Sequence, residues 1–163
     1  MGYAVLHIDK ARSNDSGNTA HIARTYTPSN VDPSRTRLNR ELVQFPANVT
    51  NRSEAIEHRI ATAGIYRKGA KNQVKALRFI LSSSPEDMAR IEQEGLLYEW
   101  CDESMDWLRS TFGADNVVAA TLHADEDTPH IHATVVPIVT GERRKAKEEA
   151  ENGKRKYKTK KNK

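Results

Sequence analysis

Apolar and polar positions alternate in short runs at the start of the chain. Over residues 3–9 this predicts a strand with Tyr3, Val5 and His7 on one face and Ala4, Leu6 and Ile8 on the other. Turn-forming residues fill 10–18, and 19–26 reads as a short helix. Residues 27–40, TPSNVDPSRTRLNR, carry two prolines and three arginines and read as an ordered basic loop. Ser53 is expected to cap a helix over 54–63 that Gly64 ends, and a strand is expected at 74–82. The longest helical pattern runs from 85 to 112. Ser84 is its N-cap, Pro85 fits the first helical position, and Asp87 completes a capping-box pattern. Leu97, Cys101, Met105, Leu108 and Phe112 form a buried stripe, with Gly95 as the point where the helix kinks or splits. Two β-rich runs, 116–124 and 130–139, are joined by the short polar segment 125–129 and predict an antiparallel hairpin. Residues 1–140 are therefore expected to be one α+β domain. Residues 141–163, without core-forming side chains, read as a basic tail or the start of a missing C-terminal region.

Composition narrows the class. No apolar run approaches the roughly 18–20 residues of a membrane span, so no membrane partner is expected. The single cysteine, Cys101, excludes a disulfide framework and a thiolate zinc cluster, and suits a reducing cytoplasm. The net charge of +4 conceals a segregation. Residues 1–80 hold 13 Lys and Arg against 6 acids, 81–140 hold 2 against 12, and 141–163 hold 11 against 4. That pattern suits one face built for a polyanion and another kept from it.

Candidate chemistry lies in three of the six histidines. Side chains alternate faces along a strand, so His130 and His132 point the same way, and the hairpin turn brings His123 beside them. Three converging imidazoles make a facial metal site with positions open for substrate. Asp125 and Glu126 in the turn can each serve as a fourth ligand or orient an imidazole through its second nitrogen. Glu126 is assigned to the metal and Asp125 to the catalytic set. Imidazoles alone suit zinc, whereas an added carboxylate suits one Mn²⁺ or Mg²⁺, with Mn²⁺ the better match to imidazole.

The string His123-Ala-Asp125-Glu126-Asp-Thr-Pro129-His130-Ile-His132 resembles the HxDExxPHxH signature of MobV-type (Mob/Pre) plasmid mobilisation relaxases, members of the HUH endonucleases. His21-Ile-Ala-Arg24 is similar to that family's HxxR motif, and Asp32-Pro33-Ser34-Arg35 with Leu38-Asn39-Arg40-Glu41-Leu42 resembles its second motif. The resemblance implies an antiparallel sheet of about five strands with flanking helices. It also implies a metal-dependent enzyme that nicks one DNA strand at a transfer origin, keeps the 5′-phosphate covalently and rejoins the strand. Arg40 stands where the family often has tyrosine, so the resemblance points to His21 as nucleophile, with Arg24 steadying the scissile phosphate and Tyr26 as the competing nucleophile. Its implied partners are single-stranded or hairpin DNA at an origin, and accessory mobilisation or coupling proteins that engage regions outside this sequence.

Arg35, Arg37 and Arg40 in the basic loop, and Arg67, Lys68 and Lys71 further on, are candidate phosphate contacts, and Asn39 is a candidate base contact. A rolling-circle initiator fits less well, because the only tyrosine after His132 is Tyr157. A two-histidine phosphoesterase lacks its second HxT or HxS. The rival from another class is a non-catalytic module that binds an origin or promoter with a structural metal.

Overall fold

The computed structural model describes residues 2–12, 15–64 and 72–139. The basic residues Arg67, Lys68 and Lys71 and the segment 141–163 lie outside the described residues. The chain runs β1 (Ala4–Ala11), α1 (Ser16–Ile22), β2 (Arg40–Glu41), α2 (Arg52–Thr62), β3 (Ala76–Ser83), α3 (Pro85–Gln93), α4 (Leu97–Phe112), β4 (Val117–His123) and β5 (His130–Val135), with 3₁₀ turns at Thr36–Leu38 and Ala114–Asn116. The five strands form one antiparallel sheet in the order β1-β3-β5-β4-β2, the α+β architecture expected.

Alternation along the strands divides the side chains between two layers. Phe79, Leu81, Ala120, Leu122, Ile131 and Val135 face the Cys101, Met105 and Leu108 stripe of α4. On the opposite face, Ala11, Ala76, Val118 and Val136 pack against Ala55 and Ile56 of α2. A bulge in β4 sets this division. Val117 pairs with Val135 and Ala119 with Thr134, which leaves Val118 as the extra residue. Beyond the bulge, Ala120 and Leu122 face α4, and Thr121 and His123 face the other way, level with His132 and His130. The acidic α4 thus covers the face away from the histidines.

Several expected boundaries move, each for a local reason. The 85–112 pattern is two helices, because Gly95 takes φ +72° and only a residue free of Cβ strain adopts that readily. Ser84 caps α3 as expected by accepting from the Asp87 N–H at 3.3 Å, whereas α2 is capped by Asn51, which accepts from Glu54 N–H at 3.0 Å, two residues before the expected Ser53. The first helix lies at Ser16–Ile22 instead of 19–26, and its continuation is stopped by Arg24 at φ +53°. Asp15 ties this short helix to the sheet, bridging Arg52 at 2.8 Å and Arg78 at 3.2 Å.

Ile131 is fully buried between the sheet and α4, so Ile131→Ala should cost about 2–5 kcal/mol. Leu6, half exposed on β1, should tolerate Leu6→Ala within about 0.5 kcal/mol. Urea midpoints of the two variants check the contrast.

Candidate metal and catalytic centre

The histidines gather at one end of the sheet because the hairpin register is tight. His123, the last residue of β4, pairs directly with His130, the first of β5, and His132 follows on the same face. Ring centroids of the three lie 4.8 to 5.4 Å apart. α1 lays His21 over them, with its ring 5.9 Å from His132 and 6.2 Å from His123. Tyr26, exposed, sits 6.4 Å from His21.

Backbone carbonyls select the imidazole tautomers. The carbonyl of Ile22 lies 2.9 Å from His123 Nε2 and the carbonyl of Thr128 lies 2.9 Å from His130 Nδ1. A carbonyl only accepts, so both of these nitrogens carry the proton, and the lone pairs are on His123 Nδ1 and His130 Nε2. His123 Nδ1 is buried without a hydrogen-bond partner and lies 3.7 Å from Glu126 Oε1. His130 Nε2 lies 3.1 Å from His132 Nε2 and 3.9 Å from the same Glu126 oxygen. Donor atoms of His123, Glu126 and His130 fall within 4.8 Å of one another, and so do those of His21, His123 and His132. Burial pushes the His123 imidazole down to about 4, and burial with its imidazole neighbours pushes His132 lower still, so both are neutral near pH 7. A buried, unpartnered lone pair, neutral imidazoles and one carboxylate make a donor set that fits a divalent metal ion.

Behind this set stands a polar network anchored on Asp125. Its carboxylate accepts Arg24 Nε at 3.0 Å and Nη2 at 2.8 Å, Thr36 Oγ1 at 3.0 Å, and Asn39 Nδ2 at 2.8 Å. Burial alone would raise this carboxyl, but the hydrogen bonds from Arg24, Asn39 and Thr36 hold it well below the usual carboxylate range. Arg24 Nη2 also donates to Glu126 at 2.6 Å, and Nη1 donates to the His21 carbonyl at 3.1 Å and approaches His21 Nε2 at 3.5 Å. The second motif closes the network. The Asp32 side chain accepts the Ser34 N–H and hydroxyl, the Asp32 N–H donates to the Asp125 carbonyl at 2.8 Å, and the resulting turn presents Thr36 and Asn39 inward.

Several expected DNA contacts are therefore occupied within the protein. Asn39 spends both ends of its amide internally, accepting from the Ala124 N–H at 2.8 Å as well as donating to Asp125. Arg24 turns inward onto two carboxylates. Arg35 pairs with Glu92 at 2.9 Å, and Arg40 lies 4.3 Å above the Tyr98 ring. Arg37 is exposed and has no ion pair among the described residues. Residues the motifs did not single out also matter: Asn30 donates to Glu126 at 3.0 Å, and Thr36 holds Asp125. Both lie in the segment read as a basic loop, where their polarity gave no separate signal.

Among the described residues, no helix is long and apolar enough to cross a membrane. The chain matches the family described as plasmid recombination enzyme, Mob_Pre, over residues 1–162. It is 32% identical over 161 residues to a plasmid recombination enzyme type 3 of Staphylococcus aureus, covering 94% of this chain and 38% of that protein. A plasmid recombination enzyme of Bacillus thuringiensis is 26% identical over 155 residues, covering 90% of this chain and 33% of that protein. The chain thus spans between 33% and 38% of these relatives' length. A solved MobM relaxase domain, crystallised with manganese and 22 nucleotides of plasmid pMV158 oriT DNA, superposes with a TM-score of 0.75 at 25% identity, over 85% of this chain and 72% of that one.

Among the described residues Arg24 is the one cation paired with Asp125, so Arg24→Met should destabilise the fold by about 3–5 kcal/mol. Acid should act in two stages in metal-free protein. The folded state keeps His123 neutral down to about 4 while the unfolded chain takes up a proton near 6.5, so stability falls as pH drops through that window. Asp125, depressed by folding, contributes stability that is present above its ordinary value of 3.8 and is lost as pH falls below it. Urea midpoints against pH in EDTA check both, and Asp125→Asn should flatten the lower segment.

Proposed function

The chain belongs to the plasmid recombination enzyme family, Mob_Pre, and from that premise we propose that it is the catalytic part of a DNA relaxase. It would cut one strand at a transfer origin of a plasmid or mobile element, hold the 5′-phosphate covalently, and rejoin the strand during mobilisation. The observation that carries this reading is His21 standing over the His123–His132 pair, within reach of any phosphate that those imidazoles and Glu126 help to hold. The manganese and oriT DNA in the MobM relaxase domain support the same metal class and substrate.

His123, His130, His132 and Glu126 would hold one Mn²⁺ or Mg²⁺. The ion would supply Lewis-acid polarisation of the non-bridging phosphate oxygens. The rest of the work falls to side chains of this chain. A guanidinium only donates, so the approach of Arg24 Nη1 leaves the lone pair on His21 Nε2. Released from that long 3.5 Å contact, the Nε2 lone pair attacks phosphorus, the N–P bond forms as the P–O3′ bond breaks, and the departing 3′ oxygen takes a proton from solvent water. The phosphoramidate is reversible, which suits rejoining. Arg24 acts as a positioning residue, holding the His21 backbone, Asp125 and Glu126 in one geometry. Arg37, exposed and without an ion pair among the described residues, would meet phosphates, and Arg40, exposed although it stacks on Tyr98, would add charge beside it.

A second reading has its own observation: His21 also belongs to a compact donor group with His123 and His132, and would there be a ligand. Manganese titration of His21→Ala separates the two. If His21 is the nucleophile, manganese affinity is retained and no heat- and detergent-resistant 5′ adduct forms. Loss of manganese assigns His21 to the metal, and an adduct that survives His21→Ala but not Tyr26→Phe assigns the attack to Tyr26. His132→Ala should lower nicking of a single-stranded origin oligonucleotide by more than the 10–100-fold typical of an outer-shell change, while leaving DNA binding largely intact. Retention of an uncut oligonucleotide by the wild-type protein with Mn²⁺ would favour the non-catalytic binding module.

A further inference from the structure

A cleft of about 450 Å³ opens from the histidines, and its chemistry changes from one end to the other. His21, Glu126, His130 and His132 line the metal end. The other end is lined by Tyr3, Val5, Ile80, Ser82, Ser83 and Pro85, with no charged side chain among them. Strand pairing explains the layout. His132, Ile80 and His7 form one row across β5, β3 and β1, and Ser82 and Val5 form a neighbouring row on the same face. Val5 therefore lies two strand spacings, about 10 Å, from the β5 histidines.

The serines of this wall are already committed. Ser82 Oγ donates to the Pro129 carbonyl at 2.8 Å, and Ser83 Oγ donates to the Tyr3 carbonyl at 2.9 Å. The Tyr3 carbonyl also accepts the Ser84 N–H at 2.9 Å, so the backbone of Tyr3 is fixed twice. The residue is nevertheless 61% exposed, and its side chain has no hydrogen-bond partner among the described residues. A fixed backbone, an open aromatic face and an uncharged floor of Val5 and Ile80 suit a flat neutral group and offer nothing to a second phosphate. Continuity with the phosphate site sets what that group would be.

We infer that Tyr3, with the Val5 and Ile80 floor, forms a nucleobase subsite in which the tyrosine ring stacks on a base of the cut strand, one nucleotide from the phosphate held at the histidines. The inference rests on the relaxase reading for the identity of its occupant. With the wall's serine donors spent, stacking dominates over hydrogen bonding, so the subsite tolerates different bases.

The test uses the 163-residue chain in EDTA, with fluorescence anisotropy on two labelled probes: a thymidine decamer, and an abasic decamer with the same phosphates and no bases. Wild type should prefer the thymidine decamer. Tyr3→Ala should weaken that probe about tenfold and leave the abasic probe unchanged, whereas Tyr3→Phe should match wild type. Since the side chain is exposed, thermal midpoints of both variants should equal wild type. Equal binding of the thymidine decamer by Tyr3→Ala and wild type would overturn the subsite, as would an equal loss on both probes or a Phe variant as weak as the Ala variant. Nicking by wild type with Mn²⁺ is measured in parallel. A nicking wild type with an unaffected Tyr3→Ala removes the subsite alone, and a wild type that neither nicks nor binds the thymidine decamer removes the relaxase reading and the subsite with it.

Discussion

Arg24 and Asp125 lie 101 residues apart in the chain and meet through two hydrogen bonds in a site almost sealed from water. Most of the centre depends on that contact. Arg24 closes α1, which carries His21 and supplies the Ile22 carbonyl that sets the His123 tautomer. Asp125 lies in the turn that carries Glu126 and leads into His130. A buried ion pair is a weak source of net stability, because desolvation offsets much of the attraction. Its value here is in register: a planar guanidinium facing a carboxylate through two parallel bonds leaves little freedom in how α1 sits on the hairpin.

The second motif serves the same geometry. Read along the chain, its arginines suggest a strip of phosphate contacts. In the fold, its aspartate, threonine and asparagine build a turn whose polar groups converge on Asp125. The motif is therefore divided by function. Its inward residues hold the Asp125–Glu126 turn, and Arg37 and Arg40 remain exposed outside it. α4 packs on the opposite face of the sheet, and the acidic helices meet that basic segment at its margin, where Arg35 pairs with Glu92 and Arg40 lies on the Tyr98 ring.

The parts legible in the sequence were those governed by short-range periodicity. Strand parity and a short polar joint suffice to bring His123 beside His130 and His132, and the Leu97-to-Phe112 stripe suffices to bury one side of α4. What stayed hidden depends on partners distant in the chain. β2 is two residues long and exists because Arg40 and Glu41 meet Leu122 and Thr121, which no local pattern announces. Arg52, in the first turn of α2, reads as an ordinary surface cation but is buried on Asp15, Thr19 and Thr134. Asn39 carries the hydrogen-bonding capacity that suggests a base contact, and only the fold reveals that Asp125 and Ala124 already use it.

The bulge at Val118 gives the centre an unusual sensitivity profile. Because the extra residue resets which side chains face α4, His123 owes its orientation to a count of residues as much as to any contact it makes. Single substitutions in β4 leave that count intact. Removing or inserting one residue between Val118 and His123 would reverse the parity of the strand end, turning His123 toward the α4 core and Leu122 toward the imidazoles. Evolution along this strand can therefore drift in composition while remaining locked in length, and frame-preserving single-codon indels there would be among the most damaging changes the domain could receive.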